Sequence, residues 1–229
     1  MNTDIWVILP SANPKQAAIT LPKWRDKGYE IAVLLDGPPI PHGAMCTPIN
    51  PYRDHCDVRI YVESSAYAGY PWAITTIVQQ LPDVDLFWAI GDDMHPPANY
   101  SPAEMAAMFL KRFPDGDGVL QGTGDPWGHG AASRICGSPI FGRKLAERMY
   151  GGRGPFCQEY YHFFADEELK CVAERDGFLL QVPTVNIHHD HWHRNKQPRP
   201  EHMHAANENW AKDKATFERR KAAGFPGAV

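Results

Sequence analysis

The chain has 229 residues, 43% of them hydrophobic and 22% charged, which suits a packed globular core and excludes wholesale disorder. A formal charge of -4 argues against a strongly basic nucleic-acid binder, though not against a local basic groove. The N-terminus lacks a basic segment leading into a long apolar run, and no stretch has the length of a membrane span, so a cytoplasmic protein without a membrane span is expected. Cys46, Cys56, Cys136, Cys157 and Cys171 show no C-x-x-C pairing, which fits free thiols in a reducing compartment.

Residues 4–9 (D-I-W-V-I-L) predict a buried strand, stopped by Pro10-Ser11-Ala12-Asn13-Pro14. Such a loop of small and turn-forming residues after a first strand is a natural ligand-contacting loop. Residues 16–27 predict a helix with Pro22 as a potential break near its middle. A second buried strand, 29–35, ends at Asp36-Gly37-Pro38-Pro39, which puts an acid at its carboxyl end. Residues 40–52 read as an irregular loop, 57–62 as a short strand, 64–71 as a loop carrying Tyr67 and Tyr70, and 72–81 as a helix.

The apolar run 86–90 (L-F-W-A-I) is too short for a buried helix and suits a strand covered on both faces. It ends abruptly at Gly91-Asp92-Asp93, followed by Met94-His95 and two prolines. Glycine permits the sharp turn, and the prolines forbid simple continuation. Two adjacent carboxylates thus reach the carboxyl end of a buried strand, the edge at which open α/β sheets bind ligands. The plain alternative is a solvated Asp-Asp turn.

In the second half, residues 101–113 predict a helix, with Ser101 as cap, Pro102 at its first position and Glu104 completing a capping box. Residues 116–130 are glycine-rich and read as loops, with Trp127 and His129 as candidates for ligand contact. A strand is expected over 135–141, a helix over 143–150, a helix over 166–175, and a strand or strand pair bent at Pro183 over 178–187. Six of the 11 histidines fall between His188 and His204, and residues 208–223 predict a surface helix of mixed charge. The strand–helix alternation predicts an α/β, mainly parallel sheet flanked by helices. It is read as one domain, 1–229: a nucleotide-binding half to about 97, a glycine-rich acceptor half over 98–193, and a C-terminal tail and helix over 194–229. No G-x-G-x-x-G or P-loop is present, which disfavours the usual dinucleotide site and a Walker-type site.

Asp92, Asp93, His189 and His191 make a candidate metal site if the two halves meet. A His-x-His pair sends both rings to one face of an extended segment, and carboxylates with imidazole favour Mn²⁺ or Mg²⁺. A surface histidine cluster is the alternative, and zinc is disfavoured because paired cysteines and H-E-x-x-H are absent. Asp166 follows Phe163-Phe164-Ala165 and is a candidate general base, whereas Glu167 and Glu168 read as plain helix N-terminal charge. Arg143, Lys144, Arg148 and Arg153 are a candidate local basic patch.

Taken together, these stretches resemble the GT-A-fold (Rossmann-like) glycosyltransferases, particularly the family 2 type. The resemblance rests on Ile8-Leu9-Pro10-Ser11 after the first strand, Asp36 after the second, Ile90-Gly91-Asp92-Asp93 as the Asp-x-Asp-like motif, Ala165-Asp166-Glu167-Glu168-Leu169, and a late histidine. It covers residues 4–193 in order of elements. Gly91 stands where the commonest pattern has its first Asp, and Ala165 stands where the acceptor motif has a Glu. The resemblance implies a metal-dependent transfer of a sugar from a nucleoside-diphosphate sugar to an acceptor hydroxyl, with inversion. In that scheme Asp166 is the base, Asp93 with His189 or His191 holds Mn²⁺ or Mg²⁺, and Asp36, Asp92 and Pro10–Asn13 contact the nucleotide. The acceptor stays open among a saccharide, a lipid-linked glycan, a protein and a modified nucleic-acid base. The competing readings are a non-catalytic sugar- or nucleotide-binding module and a metal-dependent nucleotidyltransferase.

Overall fold

The computed structural model describes residues 3–36, 51–125, 131–196, 198–200 and 203–229. The first half alternates strand and helix: β1 (Ile5–Ser11), α1 (Pro14–Asp26), β2 (Glu30–Asp36), α2 (Pro51–His55), β3 (Val58–Val62), α3 (Tyr70–Gln80) and β4 (Leu86–Ala89). The second half adds α4 (Pro102–Arg112), β5 (Val119–Gly122), β6 (Pro139–Gly142), α5 (Arg143–Arg148), α6 (Ala165–Arg175), β7 (Leu179–Val182) and α7 (Met203–Ala222).

The described strands form a seven-stranded sheet in the order β3-β2-β1-β4-β6-β5-β7. Only β6 runs antiparallel to its neighbours, and the other pairings are parallel. This is the α/β, mainly parallel sheet that the strand–helix alternation predicts. From β1 the chain winds outward through β2 and β3, then returns to place β4 on the other side of β1. Ile8 pairs with Ala89, so the carboxyl ends of β1 and β4 lie side by side at a topological switch point.

Burial explains why these segments are strands. Every residue of β4 is buried, as are Val7, Ile8 and Leu9 of β1 and Ile31 to Leu35 of β2. Beneath them Trp24, Tyr29 and Trp88 meet edge to face, with ring centroids 5.1–5.6 Å apart. The indole N–H of Trp24 donates to the Met94 carbonyl at 2.9 Å, which fixes the turn after β4 to α1.

Several expectations are corrected. Pro22 does not break α1. It deprives the Ala18 carbonyl of a helical donor, but Ala18 is exposed and water can satisfy it. The glycine-rich stretch contains β5, a buried strand whose Gln121 side chain pairs with Ser138. Trp127 and His129 lie outside the described residues, as does Cys46, while Cys56, Cys136, Cys157 and Cys171 are free thiols. Three of the four residues of the candidate basic patch are engaged by neighbouring groups. Arg143 donates to the Val84 carbonyl at 2.7 Å, Lys144 pairs with Asp115, and Arg148 pairs with Asp117 at 2.8 Å.

The C-terminal helix lies on the surface, as expected, but it buries one stripe that carries charge. Ala206, Asp213, Phe217 and Arg220 of α7 are buried. Arg220 reaches Glu168 of α6, whose carboxylate also accepts from the Tyr150 and Tyr160 hydroxyls at 2.8 and 2.6 Å. Glu168 is therefore a fully buried, fully bonded ion-pair partner rather than a simple helix-start charge. Removing one partner of such a pair leaves a buried charge uncompensated. Glu168→Ala is expected to lower unfolding free energy by about 3–5 kcal/mol. The double variant Glu168→Leu/Arg220→Met is expected to lose less than the sum of its single variants. Urea denaturation of the four proteins checks both.

Candidate active site

A cleft of about 1070 Å³ opens at the carboxyl ends of β1 and β4. It is lined by Pro10, Ser11, Ala12 and Asn13 on one side and by Asp93, His189 and His191 on another, with Asp166 also in its wall. Its size is at the upper end of small-molecule sites, enough for a nucleotide sugar and part of a second substrate.

The loop after β1 is tied down by Asp92. Its Oδ2 accepts from Ser11 Oγ at 2.6 Å and from the Asn13 N–H at 3.0 Å, and its carbonyl accepts from Thr20 Oγ1 at 2.6 Å. Ser11 Oγ also shares a hydrogen bond with the Tyr52 hydroxyl at 2.9 Å. Asn13 in turn caps α1 by accepting from the Gln16 N–H. Asp92 thus shapes the Pro10–Asn13 loop as well as facing the cleft. Asp36 closes β2 opposite Val62, and its side chain lies outside the described residues.

The two distant halves do meet. The turn after β4 pairs with the histidine-rich segment through an antiparallel bridge between Met94 and His189. The His189 ring sits 3.0 Å from Asp93 Oδ2, and the His189 and His191 rings contact edge to face at 5.1 Å. Both imidazoles therefore lie on the Asp93 side, as the His-x-His spacing predicts. Gly91 matters here, because a Cβ at that position would stand 2.8 Å from Asp93 Oδ1. A side chain at that position would push the Asp93 carboxylate from its present place.

Electrostatics follow from this packing. Burial works against the Asp93 charge, but the His189 hydrogen bond and the His189 and His191 charges prevail and hold its carboxyl below the usual range. Burial, then the neighbouring His189, brings His191 down to about 4, which leaves it neutral at neutral pH, with its Nδ1 accepting from the His193 N–H at 3.3 Å. A carboxylate beside imidazoles is the right donor chemistry for Mn²⁺. Among the described residues no three His, Cys, Asp or Glu side chains are closed around a common point, and Asp93 is bonded to His189 instead.

His95 and Asp190 were not singled out from the sequence. His95 Nε2 lies 2.6 Å from Asp190 Oδ2, and His188 Nε2 lies 3.1 Å from Asp190 Oδ1. Asp190 and His188 occupy the alternate face of the segment that presents His189 and His191. The period-two alternation that groups the two histidines also sets Asp190 on the opposite face, so that signal was available.

Asp166 is the second residue of α6, half-buried in the cleft wall behind the aromatic loop 160–164. Its Oδ1 accepts the Glu167 N–H at 3.0 Å. Burial, with the Glu167 charge second, pushes its carboxyl up to about 6. Tyr67 lines the same cleft and packs edge to face on Trp72 and Tyr161 at 6.0 and 6.1 Å.

No family model matches the chain, and no curated protein matches it. Among solved structures it is similar to S. aureus TarS 1–349, with 14% identity, a TM-score of 0.55 and coverage of 80% of this chain and 59% of that one. Looser likenesses are a glycosyltransferase involved in glycosylation of the major capsid of PBCV-1 (11% identity, TM-score 0.37, 63% and 62% covered) and a UDP-glucose pyrophosphorylase complexed with UDP-glucose (12%, 0.39, 75% and 88%). The likeness to TarS establishes the fold, an α/β, Rossmann-like arrangement, and this chain spans about 59% of the TarS fragment's length. No described helix is long and apolar enough to cross a membrane.

The raised Asp166 value carries a stability consequence. Its folded value of about 6 lies above the ordinary 3.8, so the native state binds the extra proton. Stability contributed below the unfolded value is lost as pH rises to about 6, and the penalty persists above it. Asp166→Asn is therefore expected to be more stable than wild type at pH 8, by on the order of 1–2 kcal/mol, and to show little difference at pH 3.5. Denaturant unfolding at the two pH values checks this.

Proposed function

We propose that this chain is a metal-dependent glycosyltransferase that moves a sugar from a nucleoside-diphosphate sugar to an acceptor hydroxyl, with inversion. The observation that carries the reading is one cleft that holds, among its four lining aspartates, two of opposite tuning. Asp93 is held ionised by histidines, and Asp166 is raised toward neutrality. Environments that push two titratable groups apart mark different chemical roles.

Asp93, His189 and His191 would hold Mn²⁺ or Mg²⁺. When bound, the cation supplies positive charge for the diphosphate leaving group. The Pro10–Asn13 loop, fixed by Asp92, and Asp36 would contact the nucleotide at the strand ends. Asp166 takes the proton of the acceptor hydroxyl as its oxygen bonds to the anomeric carbon and the bond to the diphosphate oxygen breaks. A value near 6 leaves Asp166 largely ionised at neutral pH while keeping useful basicity. A single base opposite the leaving group gives inversion, by the geometric logic of inverting glycosidases.

Two expectations follow. For Asp166→Asn, donor affinity is expected to stay near wild type while turnover falls by about 10²–10⁴-fold. The wild-type kcat/KM is expected to rise with pH through an inflection near 6. Steady-state kinetics beside donor titration calorimetry check both, and near-normal turnover of the Asn variant would remove Asp166 from the mechanism. Mn²⁺ together with a nucleoside diphosphate is expected to raise the wild-type Tm more than either alone. That synergy is expected to vanish in Asp93→Ala, and its persistence there would exclude Asp93 as a metal ligand.

A further inference from the structure

The aromatic loop 160–164 forms a wall of the cleft through Tyr161, His162 and Phe163 and leads directly into the helix that carries Asp166. Three successive backbone N–H groups of this loop converge on one side chain. Asp213 Oδ1 accepts from Tyr161 N at 2.9 Å, and Asp213 Oδ2 accepts from His162 N and Phe163 N, each at 2.9 Å. Asp213 lies on α7, about fifty residues further along the chain, and is fully buried. Three N–H donors are enough to satisfy a buried carboxylate and to hold it in place.

The same loop is gripped from the other side. The Tyr70 N–H at the start of α3 donates to the Tyr161 carbonyl at 2.8 Å. Gly69, at φ +107°, allows the approach, because a Cβ there would lie 2.1 Å from the Tyr161 oxygen. Phe164, the residue that caps the start of α6, is left-handed at φ 69° without being glycine, a strained conformation that its surroundings must hold. Its ring stacks on Phe217 of α7 at 5.4 Å. One turn further into α6, Glu168 is fixed by Arg220 of α7. The helix α7 therefore holds the loop at Asp213, the strained cap at Phe217 and the first turns of α6 at Arg220.

We infer that Asp213 is a positioning residue for the acceptor side of the cleft: by holding the N–H groups of Tyr161, His162 and Phe163 it sets the wall against which an acceptor lies and the aim of Asp166. This rests on the transferase reading. Asp213 touches neither the Pro10–Asn13 loop nor Asp93 in any described hydrogen bond, so it acts on acceptor use and turnover rather than on donor binding.

The test is Asp213→Asn, which keeps the shape but sets an amide N–H₂ against at least one backbone N–H. Turnover is expected to fall about 10-fold or more and acceptor KM to rise, while the nucleoside-diphosphate Kd, measured with Mn²⁺, stays within about 2-fold. Phe109→Leu, a core substitution in α4, serves as a control for lost stability and is expected to keep normal turnover at a temperature where both variants are folded. Hydrogen exchange adds a readout that needs no activity: amides of 161–163 should lose protection in Asp213→Asn while the β1 and β4 amides keep theirs. Normal turnover and acceptor KM in Asp213→Asn, or unchanged protection of the 161–163 amides, would overturn the inference alone. A wild type that neither transfers nor hydrolyses any sugar nucleotide would overturn the transferase reading, and this inference with it.

Discussion

His95 N–H donates to the His188 carbonyl at 2.8 Å, and Asp190 N–H donates to the Asp93 carbonyl at 2.8 Å. Around the Met94–His189 bridge these two bonds make a miniature antiparallel ladder between the turn after β4 and the segment beyond β7. Across it His189 meets Asp93 with His191 beside it, and Asp190 meets His95 with His188 beside it. A slip of one residue would break both backbone bonds and change which side chains lie across from one another. The pairing thus brings each of the two carboxylates, Asp93 and Asp190, against an imidazole. Asp125 reinforces it by accepting from Arg194 at 2.8 Å, just past the histidines.

That ladder closes one side of the cleft, and α7 secures the other. The two carboxylates between them are chemically alike and behave differently because of what surrounds them. Histidines stabilise the Asp93 charge, whereas Asp166 faces burial and the negative Glu167. The helix start favours a negative charge at Asp166 by a few tenths of a kcal/mol to about 1 kcal/mol, and desolvation outweighs it. Buried salt links of α7 hold Asp166's helix without lending a positive charge to Asp166 itself, since Arg220 is bonded to Glu168 and Glu159.

Much of this was legible in the sequence where the signal is local. The apolar runs of β1, β2 and β4, the capping box at Ser101 and Glu104, and the His-x-His alternation each rest on one stretch of chain. The buried stripe of α7 was not legible, because two of its four buried residues are Asp213 and Arg220, and a hydrophobic pattern cannot show charges that find partners in distant elements. Glu168 was misread for the same reason: its partners Tyr150, Tyr160 and Arg220 come together only in the fold. β5 was hidden because its strand is four residues long and set among glycines. The double duty of Asp92, bonded to Ser11 and Asn13 across the sheet edge, likewise depends on the pairing of β1 with β4.

The central claim is that the crevice between the ends of β1 and β4 is the donor site, with Asp166 facing it from the acceptor side. The most direct measurement is a crystal structure of the protein soaked with a nucleoside diphosphate and Mn²⁺, using the anomalous signal of manganese to locate the ion. The expected result is a manganese peak bonded to Asp93 and to His189 or His191, with the diphosphate on the ion and the nucleoside along the Pro10–Asn13 loop. A nucleotide bound away from these strand ends, or a manganese site that does not involve Asp93, would contradict the account.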